Sequence, residues 1–392
     1  MISFPGLTTI EVRAVSGLAT VLALRMFGMF MILPVFSIYG SSLPGGENKT
    51  FLGLALGIYG LTQACLQIPM GKFSDQWGRK PVIYAGLIVF AIGSFTAAFA
   101  ENIYGLMLGR ALQGAGAVSA VVMALLSDLT SEKRRTTAMA LVGITIGLSF
   151  ILSIFLGPLL AGLLGVEAIF LVTGLLALLG VGVVKYWVPE SKVDNLYLLS
   201  KDDLVALLRD GQLFRVNMSI FFLHATLISL FLVLPLSLEQ HMSMDRHWQL
   251  YLLIMVGSLF FMVPAIYFYE RRGFQKTTMI LGISLISFLS VFLVFAVDSL
   301  IMMMIILIVF FGAFNFLEAC LPSLASKICP KSARGTALGI YSTFQFGGIF
   351  IGATVGGWLS SYFGNSAVFY LGGLMGIMWI LCIAGLKIIK QR

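Results

Sequence analysis

Twelve runs of about 20 mostly apolar residues dominate this sequence, and a helix of that length crosses the ~30 Å hydrocarbon core of a bilayer. They fall at about 14–40, 51–70, 82–100, 103–127, 137–161, 166–187, 215–238, 249–268, 277–297, 300–325, 335–359 and 366–388. Only 11% of the 392 residues are charged and 59% are hydrophobic. A soluble domain carries roughly 25% charged residues, so no soluble fold hides this much apolar surface. The sequence therefore predicts an all-α polytopic membrane protein with twelve transmembrane helices. The first run holds Arg25 in its middle and lacks a short apolar core followed by a small-residue cleavage site, so it reads as a retained helix.

Orientation follows from the 25 Lys and Arg residues. Apart from Arg25 and Arg110 within spans, all but Lys49 and Arg246 fall in alternate connecting segments that share one side. The positive-inside rule makes that side, with both termini, cytoplasmic. The basic residues sit in short connections instead of forming a stripe on one element, which argues against a nucleic-acid partner despite the formal charge of +8. Cys65, Cys320, Cys329 and Cys382 form no CxxC pair and have no histidines at metal spacing, so neither a metal nor another cofactor is expected.

The longest polar stretch separates six spans from six. It divides the chain into an N-terminal half, 1–188, a cytoplasmic linker, 189–213, with a short surface helix from Lys201 to Arg209, and a C-terminal half, 214–392. No soluble domain is expected after the twelfth span. The halves resemble each other. MILPVF at Met31 aligns with LVLPLS at Leu232, PMGKFSDQWG at Pro69 with PAIYFYERRG at Pro264, and RTTAM at Arg135 with RGTAL at Arg334. The offsets of 201, 195 and 199 run in order, which points to a duplicated six-helix unit with a binding site between its copies.

These features carry a family resemblance. GKFSDQWGRK at Gly71–Lys80, between spans 2 and 3, resembles the G-x-x-x-D-x-x-G-R-K/R signature of the major facilitator superfamily. RALQGAG at Arg110–Gly116 in span 4 is similar to that superfamily's R-x-x-Q-G-x-G motif. GPLLAG at Gly157–Gly162 in span 5 is similar to the G-P-x-x-G-G motif of its antiporter branches, with Ala161 replacing a glycine and Ser153 standing where an earlier one is common. Further segments, among them LRMFGMFM at Leu24–Met31, look like the proton-driven drug and multidrug efflux branch in bacteria. The resemblance implies a multi-pass inner-membrane transporter, acting as a monomer on a small-molecule substrate and energised by protons.

It also implies roles for residues. Gly71, Asp75, Gly78, Arg79 and Lys80, with Asp128 at the inner end of span 4, would form a cytoplasmic gate. There Asp75 faces the start of span 11 and Arg79 pairs with Asp128 when the halves close. Gly157, Pro158 and Gly162 would kink span 5 and bring neighbouring helices close. In the superfamily, spans 1, 4, 7 and 10 line the central cavity. Each carries one ionisable residue here: Arg25, Arg110, His224 and Glu318.

A charge at a helix centre costs about 2.5–3.5 kcal/mol on insertion scales, so each of the four should face a partner or a wet cavity. Arg25, His224 and Glu318 lie roughly 10–17 Å from the basic ends of their helices and could meet. Glu318, the one acid well inside a span, is the first candidate for a coupling proton site, with His224 and Arg25 as companions. Burial favours its protonated form and an adjacent cation favours its carboxylate, the opposition that exchange of a proton for a cargo requires. A structural partnership between Glu318 and Arg25 is the plainer alternative. The expected cavity comprises Arg25, Phe27, Phe30, Arg110, Gln113, His224, Asn315 and Glu318. The leading expectation is proton-coupled export of small hydrophobic or amphiphilic compounds. A symporter or facilitator for a nutrient or organic anion would suit Arg25 and Arg110, while an enzyme is disfavoured because no HExxH, P-loop or Ser/His/Asp pattern occurs.

Overall fold

The structure, a computed structural model, describes residues 8–190, 201–271, 274–330 and 333–387. Residues 191–200 of the expected linker and Arg272 and Gly273 of the second repeat copy lie outside them. Among the described residues, twelve helices are long and apolar enough to cross a membrane. Spans 1 to 6 are Thr9–Met31, Lys49–Trp77, Arg79–Ala98, Ile103–Asp128, Lys133–Leu164 and Val166–Tyr186. Spans 7 to 12 are Gly211–Glu239, Met244–Glu270, Gln275–Phe295, Leu300–Ile328, Arg334–Phe363 and Asn365–Ile383. A nine-residue helix, Lys201–Arg209, precedes span 7, which starts at Gly211, earlier than the apolar run alone suggests.

Polar residues set several helix starts. Thr8 and Glu11 make a capping box for span 1, and the side chains of Asn48, Asn102, Asp210 and Ser299 accept from the first free backbone N–H groups of spans 2, 4, 7 and 10. Span 1 breaks at Ile32 and resumes as Leu33–Ser42 because Pro34 offers no N–H and its ring crowds the preceding turn. Span 4 is interrupted between Ala115 and Ser119, where a side chain on Gly116 would come 2.8 Å from Phe90 Cβ of span 3. Span 5 runs through Pro158 without interruption. The internal repeat reappears in the turns: Gly165 after span 5 and Gly364 after span 11 sit 199 residues apart with nearly equal positive φ, 85° and 80°.

Spans 1, 7 and 10 are the most enclosed and spans 5 and 8 the least. The face carrying Lys72, Arg79 and Lys327 is here termed the basic face. At the opposite face the two sets of six helices press together. A Cβ on Gly53 would lie 2.8 Å from Gly357 Cα, one on Gly57 3.0 Å from Ala353 Cβ, and one on Gly162 2.9 Å from Asp245 Cβ. Small residues permit such backbone approach between spans 2 and 11. Hydrogen bonds reinforce the seam: Lys49 Nζ donates to Asn365 Oδ1 at 2.8 Å and the Thr50 amide to Ser361 Oγ at 3.1 Å. Towards the basic face the same helices meet nothing at corresponding positions. Gly71 of span 2, Gly143 and Gly147 of span 5, and Gly335 and Gly339 of span 11 all border open space. The molecule is sealed on one face and parted towards the other.

Candidate transport site

Arg25 of span 1 is buried, 1% exposed, and its bonds stay within the first six spans. Nη1 donates to Ser119 Oγ at 2.8 Å, while Nη2 donates to Tyr59 Oη at 3.2 Å and Gln63 Oε1 at 2.5 Å. Gln63 then donates to Gln67 Oε1 at 3.0 Å, and the Arg25 guanidinium lies 5.2 Å from the Phe90 ring. Arg110, 2% exposed, donates to Gln113 Oε1 at 2.8 Å, and Gln113 donates to Ser94 Oγ at 2.8 Å. Its guanidinium stands 4.8 Å from the Tyr59 ring and 5.9 Å from the Phe36 ring. One tyrosine thus serves two arginines, through its hydroxyl for Arg25 and its π face for Arg110. Among the described residues no carboxylate forms an ion pair with either. The expectation that Arg25 meets Glu318 is corrected: neutral oxygens of spans 2 and 4 hold it instead.

Glu318 of span 10 has a side chain 30% exposed, on the part of the helix that faces the opening. Its Oε2 lies 3.9 Å from Nδ1 of His224, which is 2% exposed. Gln345 of span 11 places its Nε2 2.8 Å from His224 Nε2. On the closed side of this group, aromatic rings cross between the halves. Phe30 meets Phe150 at 4.9 Å, Phe150 meets Phe314 at 5.6 Å, and Phe314 meets His224 at 6.1 Å between ring centroids. A second bridge joins Tyr59 to Phe346 at 6.0 Å. A small cavity between the halves is lined by Phe30, Tyr59, Arg110 and His224 among apolar neighbours. Of the other expected cavity residues, Phe27 is half-buried against the core, and Asn315 donates to Ser258 Oγ of span 8 at 3.1 Å, a bond between helices of one half.

Tyr59 and Gln345 are functional candidates that the sequence alone did not single out. The signal for Tyr59 was its spacing: Tyr59, Gln63 and Gln67 recur every four residues and share one helix face. Tyr341 and Gln345 repeat the pattern on span 11.

At the basic face Arg79 Nη1 donates to Asp75 Oδ1 at 2.5 Å and Ser74 Oγ at 2.7 Å, and Nε donates to Asp128 Oδ2 at 3.0 Å. The expectation that the Arg79–Asp128 pair forms only on closure is corrected, since the bonds exist while the halves are apart there. Both acids belong to the same six helices as Arg79, so no contact from the other half is needed. Lys80 turns away and donates to the Val188 carbonyl at 2.8 Å and Glu190 at 2.7 Å, tying span 3 to the segment after span 6. Gly157 packs against the Met31 backbone of span 1.

Gly78 turns the chain between spans 2 and 3 with φ 90° and ψ 153°, a region that L side chains avoid. A Cβ there has room, its nearest neighbour being Pro81 Cδ at 3.6 Å. Gly78→Ala should therefore destabilise the fold by about 1–3 kcal/mol through backbone strain alone. Gly71→Ala, about two turns earlier in ordinary helix and bordering open space, should cost nothing. Thermal unfolding of the two variants in detergent checks the contrast; equal midpoints would refute it.

A profile of the Major Facilitator Superfamily matches residues 18–297 and 251–391, which together span nearly the whole chain. The chain belongs to the Major Facilitator Superfamily. A relative from Escherichia coli (strain K12), the inner membrane transport protein YajR, is 42% identical over 96% of this chain and 84% of its own length. The quinolone resistance protein NorA of Staphylococcus aureus (strain COL) is 26% identical over 85% of this chain and 86% of its own. The solved structure of a D-xylose–proton symporter superposes with a TM-score of 0.74 at 18% identity, covering 96% of this chain and 98% of that one. As in other members of the Major Facilitator Superfamily, the protein is a multi-pass membrane transporter for small molecules.

Proposed function

We propose that the protein is a proton-coupled antiporter that exports small hydrophobic or amphiphilic compounds across a bacterial inner membrane by alternating access. The carrying observation is Glu318. Among the described residues it is the one carboxyl well inside a span, and it is partly exposed towards the opening, beside His224 and a band of phenylalanine rings. The strong bias of Lys and Arg supports reading the basic face as cytoplasmic, which makes this the inward-open state. In that state the Glu318 carboxylate attracts a cationic cargo whose apolar part rests on Phe27 and Phe314. Rocking the halves would seal the basic face and open the other, where protonation of Glu318 removes the attraction and releases the cargo. The protonated site then returns and gives its proton to the cytoplasm. Each ligand excludes the other at one carboxyl, so the differential affinity of the two states supplies the coupling. The Arg79 cluster is the candidate gate on the basic face. The quinolone resistance protein among the relatives supports a drug-like cargo.

A second reading, a symporter or facilitator for an organic anion, is favoured by Arg25 and Arg110, two buried cations whose partners are neutral. Proteoliposomes with an imposed pH gradient separate the two. Export predicts gradient-driven movement of ethidium, opposite in direction to the protons. Movement of benzoate along with the protons, without ethidium flux, would replace it with the second reading.

A further inference from the structure

Three buried polar atoms converge on spans 7, 10 and 11 without a hydrogen-bond partner: His224 Nδ1, Glu318 Oε2 and Tyr341 Oη. Buried polar groups are nearly always paired, so three such atoms together call for an account. His224 Nδ1 and Glu318 Oε2 face each other at 3.9 Å, beyond hydrogen-bond reach but within a side-chain rotation of it. Tyr341 lies within electrostatic reach of the same carboxyl, one helical turn from Gln345. The other imidazole nitrogen is engaged: Gln345 Nε2 stands 2.8 Å from His224 Nε2. An amide nitrogen only donates. His224 Nε2 must then accept, and the neutral ring carries its proton on Nδ1, the atom aimed at Glu318.

We propose that Gln345 is a positioning residue: it locks His224 in the tautomer that presents Nδ1–H to the Glu318 carboxylate. The proposal rests on the reading of Glu318 as the proton site. All three residues belong to the last six spans, so the arrangement travels with that half as the molecule rocks. What alternates is which face reaches it, and the affinity of the site for a proton stays set by the same donor. The titratable and charged groups around His224 are Glu318 on span 10, Tyr341 on span 11, and Arg110 on span 4 and Tyr59 on span 2 across the small cavity. None of these contacts His224 Nε2, so Gln345 alone acts on that nitrogen, while the Ile220 carbonyl one turn earlier in span 7 favours a proton on the ring as well.

The chain has three histidines, which makes nitrogen-15 histidine NMR of the protein in lipid nanodiscs a direct test. The His224 signals are the ones that vanish in His224→Gln. In the wild-type protein the neutral ring should be the Nδ1–H form. Gln345→Leu should weaken that preference, since the Ile220 carbonyl still acts on the ring, and Gln345→Glu, whose carboxylate accepts, should shift it towards the Nε2–H form. Gln345→Glu keeps the length of the side chain and keeps the test decisive where Gln345→Leu does not fold. In transport, Gln345→Leu should move the pH midpoint of gradient-driven ethidium flux upwards by up to about one unit, because the carboxylate no longer has an N–H donor held facing it. A side chain that only fills space would lower the rate without moving the midpoint. A wild-type ring protonated on Nε2, or a tautomer unchanged in both variants, overturns the proposal. Glu318→Gln separates it from the reading beneath: if ethidium flux stays coupled in that variant while His224 remains Nδ1–H, the proton site falls and the tautomer lock stands.

Discussion

Glu318→Gln is expected to abolish transport driven by a pH gradient while leaving the protein folded. Glutamine keeps the shape of the side chain and removes its charge and its exchangeable proton. Because Glu318 Oε2 has no hydrogen-bond partner and the residue forms no ion pair with Arg25, no structural bond is broken. Neutralising an acid inside a membrane span removes a cost of about 2.5 kcal/mol, so the thermal midpoint should hold or rise. The sign of the pH effect follows from competition. As pH falls the wild-type carboxyl takes up a proton and loses a cationic ligand, so ethidium affinity should fall by up to about tenfold per unit for one exchanged proton. As pH rises the carboxylate returns and affinity recovers. In Glu318→Gln the affinity should be low and flat across the same range. Binding titrations at several pH values, with flux in proteoliposomes, measure both effects. A variant with wild-type pH dependence would move the coupling site away from span 10.

How much of this was legible beforehand depends on how local the signal is. Span positions were readable because a bilayer demands length and apolarity from each helix separately, and the structure starts and ends most of them within a few residues of the apolar runs. The break at Ile32 had its cause, Pro34, in plain sight. The break after Ala115 did not, because it depends on how closely span 3 passes Gly116. Partnerships between charged residues were the least legible. Arg25 and Glu318 lie on different halves at similar depth, and depth alone suggested that they meet. Which way each side chain turns is set by neighbours distant in sequence: Ser119 and Gln63 capture Arg25, and Gln345 captures His224. Tyr59 was hard to place for the same reason: its four-residue spacing with Gln63 and Gln67 marks a helix face, but its role shows only once two arginines stand beside it.

The second large effect is expected at the opposite end of the molecule, in the seam between spans 2 and 11. A Cβ on Gly357 would fall 2.9 Å from Gly53 Cα and 3.1 Å from Gly53 N, both backbone atoms that no rotamer change moves aside. Gly357→Leu must therefore push the two helices apart at this face. Overpacking of that kind costs about 3 kcal/mol, roughly a hundredfold in population, and the cost falls only on the state in which the face is sealed. The state open to that face, where spans 2 and 11 have separated, bears none of it. Gly71→Leu and Gly339→Leu carry the opposite sign. Both positions border open space here, and both lie where the halves must approach when the basic face closes, so these variants should hold the molecule in the arrangement described above. Transport needs both states, so all three variants should lose flux, and only the direction of the trap should differ. Spin labels at Glu47 and Tyr362 report separation of the seam directly. A longer distance in Gly357→Leu with an unchanged one in Gly71→Leu is the expected pattern. An active Gly357→Leu with an unaltered distance would mean that this seam does not open in the cycle, and that the halves move about some other contact.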